Sequence, residues 1–135
     1  MVERPFWVAV DEVRERDPRY RREAYGFLMA ALAHTVETLP ASRRADPTRR
    51  HLSGRELLNG MLRLAHEEFG PLAAPVFEEW GLTRSEDVGE MVFHLIAAGQ
   101  LSARPEDRRE DFAGGGSLPE RLRAMSRPGP RGGRA

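Results

Sequence analysis

The chain has 135 residues, 40% of them hydrophobic and 31% charged, and no cysteine. That is enough apolar material for one modest core but not two, and it excludes disulfides and thiolate metal sites, as suits a reducing compartment. All 21 basic residues are arginine, balanced by 21 acids; a GC-rich genome produces the same bias, so arginine abundance alone is no sign of nucleic-acid binding.

The first apolar run, Phe6-Trp7-Val8-Ala9-Val10, meets acids at once and is too short for the hydrophobic region of a signal peptide. No stretch approaches the ~18 apolar residues of a membrane span, so a soluble cytoplasmic protein is expected, with no membrane partner. A short helix is expected over residues 6–16, with Phe6, Val10 and Val13 on one side. Asp17-Pro18 reads as the N-cap and first position of a second helix. Its apolar residues, from Tyr20 and Ala24 through Phe27, Leu28, Ala31 and Leu32 to Leu39, recur at helical spacing until Pro40 ends it. Residues 40–51 form a polar loop. Ser53 and Glu56 make a capping box for a third helix with Leu57, Leu58, Met61, Leu62, Ala65 and Phe69 inward. Gly70-Pro71 breaks it, and Pro75 predicts an irregular or late start to the next helix. Gly81 suits the position just past that helix, with Leu82 folding back on its end. Thr83-Arg84-Ser85-Glu86 reads as a second capping box, opening a helix that buries Val88, Met91, Val92, Leu95 and Ile96.

The expected architecture is therefore a mainly α, compact bundle of about five helices over residues 5–113, with a helix-turn-helix-like corner at 81–83. A small hairpin near 100–113 is an expected addition, and residues 114–135, rich in Gly, Pro and Arg, are expected to be a disordered basic tail.

The stretches DPRY, HLSGRELL, FGPLA, EWG, EDVGEMVFHL and EDRREDF, in this order over roughly residues 6–113, resemble a small bacterial protein family. The resemblance implies no catalytic or binding residues and carries no activity to this chain. Family members commonly continue beyond Phe112 with aromatic and acidic residues, whereas AGGGSLPERL follows here.

Charge is unevenly spread. Residues 40–55 hold five Arg against one Asp, residues 56–99 two Arg against eight acids, and residues 114–135 five Arg against one Glu. A basic loop and a basic tail thus flank an acidic centre. The loop arginines Arg43, Arg44, Arg49 and Arg50, with His51, are the candidate binding residues for phosphate, RNA or an acidic partner. No aromatic residue interleaves with them to stack bases. The second helix of the corner begins Arg84, Ser85, Glu86, Asp87; its carboxylates would oppose a polyanion where a recognition helix meets bases and phosphates.

Glu90 and His94 lie one helical turn apart, with Asp87 near the same face, and are the candidate acid/histidine pair. The same spacing describes an ordinary surface pair. No metal-ligand motif, phosphate loop or nucleophile elbow occurs, so no metal and no cofactor is expected. Three readings follow. The first is a non-catalytic protein-interaction or regulatory module with an unknown protein partner. The second is a nucleic-acid-associated protein with a winged-helix-like core, using the Arg loop and tail. The third is a small hydrolase or metal protein built on Glu90 and His94.

Overall fold

The computed structural model describes residues 4–48, 51–102 and 109–127. Among these the structure is mainly helical and holds no strand. Its helices are α1 (Phe6–Arg16), α2 (Arg22–Glu37), α3 (Ala41–Arg44), α4 (Gly54–Phe69), α5 (Ala73–Trp80), α6 (Ser85–Ala97) and α7 (Leu118–Ser126). Single 3-10 turns at Gly70–Leu72 and Arg109–Phe112 complete it. The five helices expected from periodicity are present. α3 is a single turn inside the loop expected after Pro40, and α7 falls in the expected tail.

Helix α4 is the hub, packed on α2, α5 and α7. Its capping box forms as read: Ser53 Oγ accepts from Glu56 N at 3.0 Å and Glu56 Oε1 accepts from Ser53 N at 2.9 Å. The helix buries Leu57, Leu58, Met61, Leu62, Leu64 and Ala65. It crosses α2 at Gly60, where a Cβ would lie 1.9 Å from Thr35 Oγ1 and 3.0 Å from Thr35 Cβ and Cγ2. A glycine is what lets the two backbones come this close. Gly60→Ala is therefore expected to cost about 1–3 kcal/mol as an overpacked core. Adding Thr35→Ala should restore much of that loss, since the buried Thr35 hydroxyl has no hydrogen-bond partner among the described residues and removing it orphans none of them. Urea melts of the two single variants and the double variant give the coupling; strict additivity would show that the helices do not touch there.

Helix α2 begins later than the sequence suggests. Asp17 does not cap it but closes a tight turn, accepting from Arg19 N at 3.2 Å and from the Arg19 guanidinium at 2.6–3.0 Å. That turn drives Tyr20 into the core, where it is 1% exposed. The same turn docks on the α5–α6 corner, with Arg21 N donating to Trp80 O at 3.1 Å. Gly81 sits at φ 88°, and a Cβ there would approach Arg19 O to 2.4 Å, so both conformation and space require glycine. Leu82 N donates to Phe77 O at 2.9 Å, and its side chain is fully buried, as the fold-back expectation has it. Pro75 is accommodated in the first turn of α5, where its missing N–H has no intrahelical partner to lose. Phe27, Phe69, Phe77 and Trp80 gather with ring centroids 5.4–6.1 Å apart. Phe77 is fully buried, whereas Trp80 and Phe93 are half-buried.

The expectation of disorder from residue 114 does not hold over 117–126. Ser117 caps α7 by accepting from Glu120 N at 3.2 Å, and Leu118 and Leu122 are buried at 0% and 1%. A proline at the second helical position, a serine cap and two leucines one turn apart are enough for a short amphipathic helix once α5 and α4 offer a face. Residues 128–135 lie outside the described residues. So do 103–108, on which the expected hairpin largely falls; the stretch that follows, Arg109–Phe112, is a 3-10 turn.

Candidate functional site

Half of the second capping box forms, one residue later than read. Asp87, not Glu86, folds back: its Oδ2 accepts from Thr83 N at 3.0 Å and Arg84 N at 2.9 Å. Its Oδ1 accepts from the buried Tyr20 hydroxyl at 2.7 Å. Burial works to raise the Asp87 carboxyl, but these bonds, Tyr20's foremost, hold it below the usual carboxylate range. Burial, then the Asp87 bond, pushes the Tyr20 phenol upward.

Two turns along α6, His94 does gather polar partners. Its Nδ1 is 2.9 Å from the Tyr25 hydroxyl, and its Nε2 is 3.3 Å from Asp17 Oδ2. With Nε2–H directed at the carboxylate, Nδ1 accepts from Tyr25. Glu90 Oε1 reaches Arg19 NH2 at 3.5 Å. The Arg19 hydrogen bond is the main cause that lowers Asp17 to about 2. Burial raises Tyr25 to about 12. The chain Asp17–His94–Tyr25 has the order of a proton relay, but its terminal hydroxyl is on a residue with no exposed surface. The His94 and Asp17 side chains keep 19% and 26% of their surface exposed, and the arrangement joins the α1–α2 turn to α6. Among the described residues no group of three His, Asp or Glu side chains is placed to hold a metal ion.

Of the basic loop, Arg49 and Arg50 lie outside the described residues. Arg43 is engaged: its guanidinium grips the Glu56 carboxylate at 2.5 and 2.9 Å and donates to His51 O at 3.2 Å. That bidentate pair is the main cause holding Glu56 at about 2. Arg44 is exposed on α3.

The first turn of α6 is covered by the chain that leads into α7. Ser85 N donates to Gly116 O at 3.2 Å, Ser85 Oγ accepts from Gly115 N at 2.9 Å, and Leu118 N donates to Thr83 O at 2.9 Å. Ser85, Asp87, Val88 and Gly89 are all buried. The corner has helix-turn-helix connectivity; Ser85, Asp87 and Gly89 face protein, while Arg84 is exposed and Glu86 and Glu90 are half-buried, so what the helix start leaves for a groove is mostly carboxylate.

One feature has no local signature in the sequence. A cleft of about 350 Å³ opens between the C-terminal halves of α2 and α6 and the start of α4. Leu32 and Val36 line it from α2, Leu57 from α4, and Val92, Phe93 and Ile96 from α6. Leu52, Leu101 and Phe112 close the apolar wall, while His51, Ser53 and Asp111 are polar groups at its edge.

Fold and site together define a small all-α domain with a buried polar joint and an apolar cleft. No protein-family model, curated protein or solved structure matches this chain. Among the described residues no helix is long and apolar enough to cross a membrane.

Proposed function

We propose that the chain is a non-catalytic protein-interaction module that holds its partner in the cleft between α2, α4 and α6. The observation that carries this reading is the cleft itself: a concave, solvent-open surface lined by aliphatic and aromatic side chains. Soluble proteins rarely leave such surfaces without an occupant. The nucleic-acid reading has less support, because Arg43 is committed to Glu56 and the start of α6 is covered at Ser85 and otherwise offers mostly carboxylates.

Affinity capture by the full chain, with and without nuclease, tests it. Protein partners are expected to survive nuclease treatment and to be lost with Val36→Arg, a variant at the cleft wall whose melting temperature is measured alongside. Retention of RNA or DNA alone, or of the same proteins by a folded Val36→Arg variant, overturns the reading.

A further inference from the structure

We infer that α1 is a detachable arm, which swings away from α2 and α6 as one unit about Asp17 while the rest of the fold stays closed. Of the longer helices, α1 gives the core least. Val10 is its one member of the buried core, with Phe6 and Val13 packed at the edge, whereas α2, α4, α5, α6 and α7 each bury two or more. Ala9 is covered as well, but it brings a single methyl group. Helix α1 lies on α2 and α6, and its contact with α6 is incompletely filled. Among the described residues a gap of about 150 Å³ opens between Ala9 and Val13 on one side and His94, Ala97 and Ala98 on the other. Closely packed helices leave few voids of that size. At the start of α1, Pro5 occupies the capping position and has no side-chain oxygen to offer.

The polar ties of α1 lie mostly at the surface. Asp11 Oδ1 accepts from Arg22 Nε at 2.8 Å with both side chains about half exposed, and Gln100 Nε2 donates to Arg4 O at 3.1 Å. Trp7, 40% exposed, rests on Gly26 with the Arg22 guanidinium 4.3 Å from its ring centroid. Pairs this exposed stabilise little. Arg14 Nε reaches Tyr20 O at 2.8 Å, a part-buried tie that has to break when the arm moves. The pivot, by contrast, is fastened to the body of the fold. Asp17 is gripped by Arg19, the Tyr20 hydroxyl by Asp87, and Arg21 N by Trp80 O. Asp17 itself is extended, at φ −144° and ψ 91°, just past the last residue of the helix. Rotation there carries α1 off without disturbing the turn that follows. His94 stays with Asp17 on the fixed side, and the gap beside it widens into an open strip along α2 and α6. Local openings of this kind belong to elements with few buried apolar contacts.

Native-state hydrogen exchange of the full chain, followed by NMR at low urea concentrations, tests the inference. The amides of Val10 to Arg16 are expected to share one opening constant, roughly a hundredfold or more larger than that of Met61 to Ala65 in α4. Their exchange should depend little on urea, because the swing exposes little surface, whereas that of the α4 amides should depend on it steeply. The chain has no cysteine, so a single introduced thiol reports on one site. Val10→Cys should react with a disulfide reagent much faster than Ala65→Cys, the urea midpoint of each variant being measured alongside. Equal opening constants and equal urea dependence for α1 and α4 would show that α1 opens only with the whole fold, and overturn the inference. So would rates that fall steadily from Ala9 toward Asp17, which mean fraying from the end and not a swing. Exchange of the Arg21 amide together with α1 would place the pivot beyond the turn and overturn the assignment to Asp17. A Val10→Cys thiol no more reactive than that of an equally stable Ala65→Cys variant likewise overturns the arm.

Discussion

Ending the chain at Ala113 is expected to lower its stability by about 3–6 kcal/mol relative to ending it at Arg127. The difference is α7. Leu118 and Leu122 have essentially no exposed surface, and each buried leucine contributes about 1.5–3 kcal/mol. The shorter chain also leaves the faces of α5 and α4 that α7 covers open to water. Against a total of roughly 5–15 kcal/mol for a domain, such a loss unfolds a large share of molecules at 37 °C. Urea midpoints of the two truncated chains decide the matter, and equal midpoints would mean that α7 is not part of the core.

Asp87→Ala is expected to cost about 2–4 kcal/mol, the largest effect of removing a polar group on α6. It removes the group that satisfies the N–H groups of Thr83 and Arg84, a cap worth about 1 kcal/mol. It also strands the Tyr20 hydroxyl, 2.7 Å from the carboxylate in the native state, at about 1–3 kcal/mol. Tyr20→Phe should cost less, and Tyr20→Phe with Asp87→Ala less than the sum of the two. The sign of the pH dependence follows from the depressed carboxyl. Its folded pKa lies below the ordinary value of about 3.9, so its contribution is complete above that value and drains away as pH falls through the folded pKa. Asp17 and Glu56, each held at about 2, act in the same direction. Wild type should therefore lose stability on acidification below about pH 5, and Asp87→Ala should lose less. Urea melts from neutral pH down to strong acid measure both slopes; a steeper fall for the variant would contradict the assignment.

Periodicity and caps made much of this fold readable. Ser53 and Glu56 announce α4, and Gly81 followed by Leu82 announces the end of α5, because both signals are written within a few residues of the elements they close. What escaped depends on contacts between distant parts of the chain. Asp17 looks like a helix cap until Arg19 closes a turn on it, and Tyr20 looks like a helical core residue until Asp87, 67 residues away, takes its hydroxyl. His94 was legible as a site candidate beside Glu90, but its recorded partners Tyr25 and Asp17 come from another segment. Arg43 reads as one of five loop cations, yet only the fold shows Glu56 holding it. Leu118 and Leu122 sit in a stretch too polar to fold alone, so composition hides a helix that packing stabilises. The cleft is drawn from segments far apart in the chain, so no single stretch betrays it.

The position of α7 in the chain also bears on how the molecule is made. Its anchors reach back far along the sequence: Arg123 pairs with Glu78, Arg121 donates to Asn59 and Ser126 approaches His66, across 45, 62 and 60 residues. A ribosome that has delivered the chain as far as Ala113 has supplied α1 to α6 but not the helix that covers α4 and α5. Until residue 126 is free, the nascent protein carries an uncovered apolar face, the kind of surface on which chaperones act and unfinished chains associate. Slow translation or stalling before that point should therefore be felt as aggregation of newly made protein, even where the completed molecule is stable.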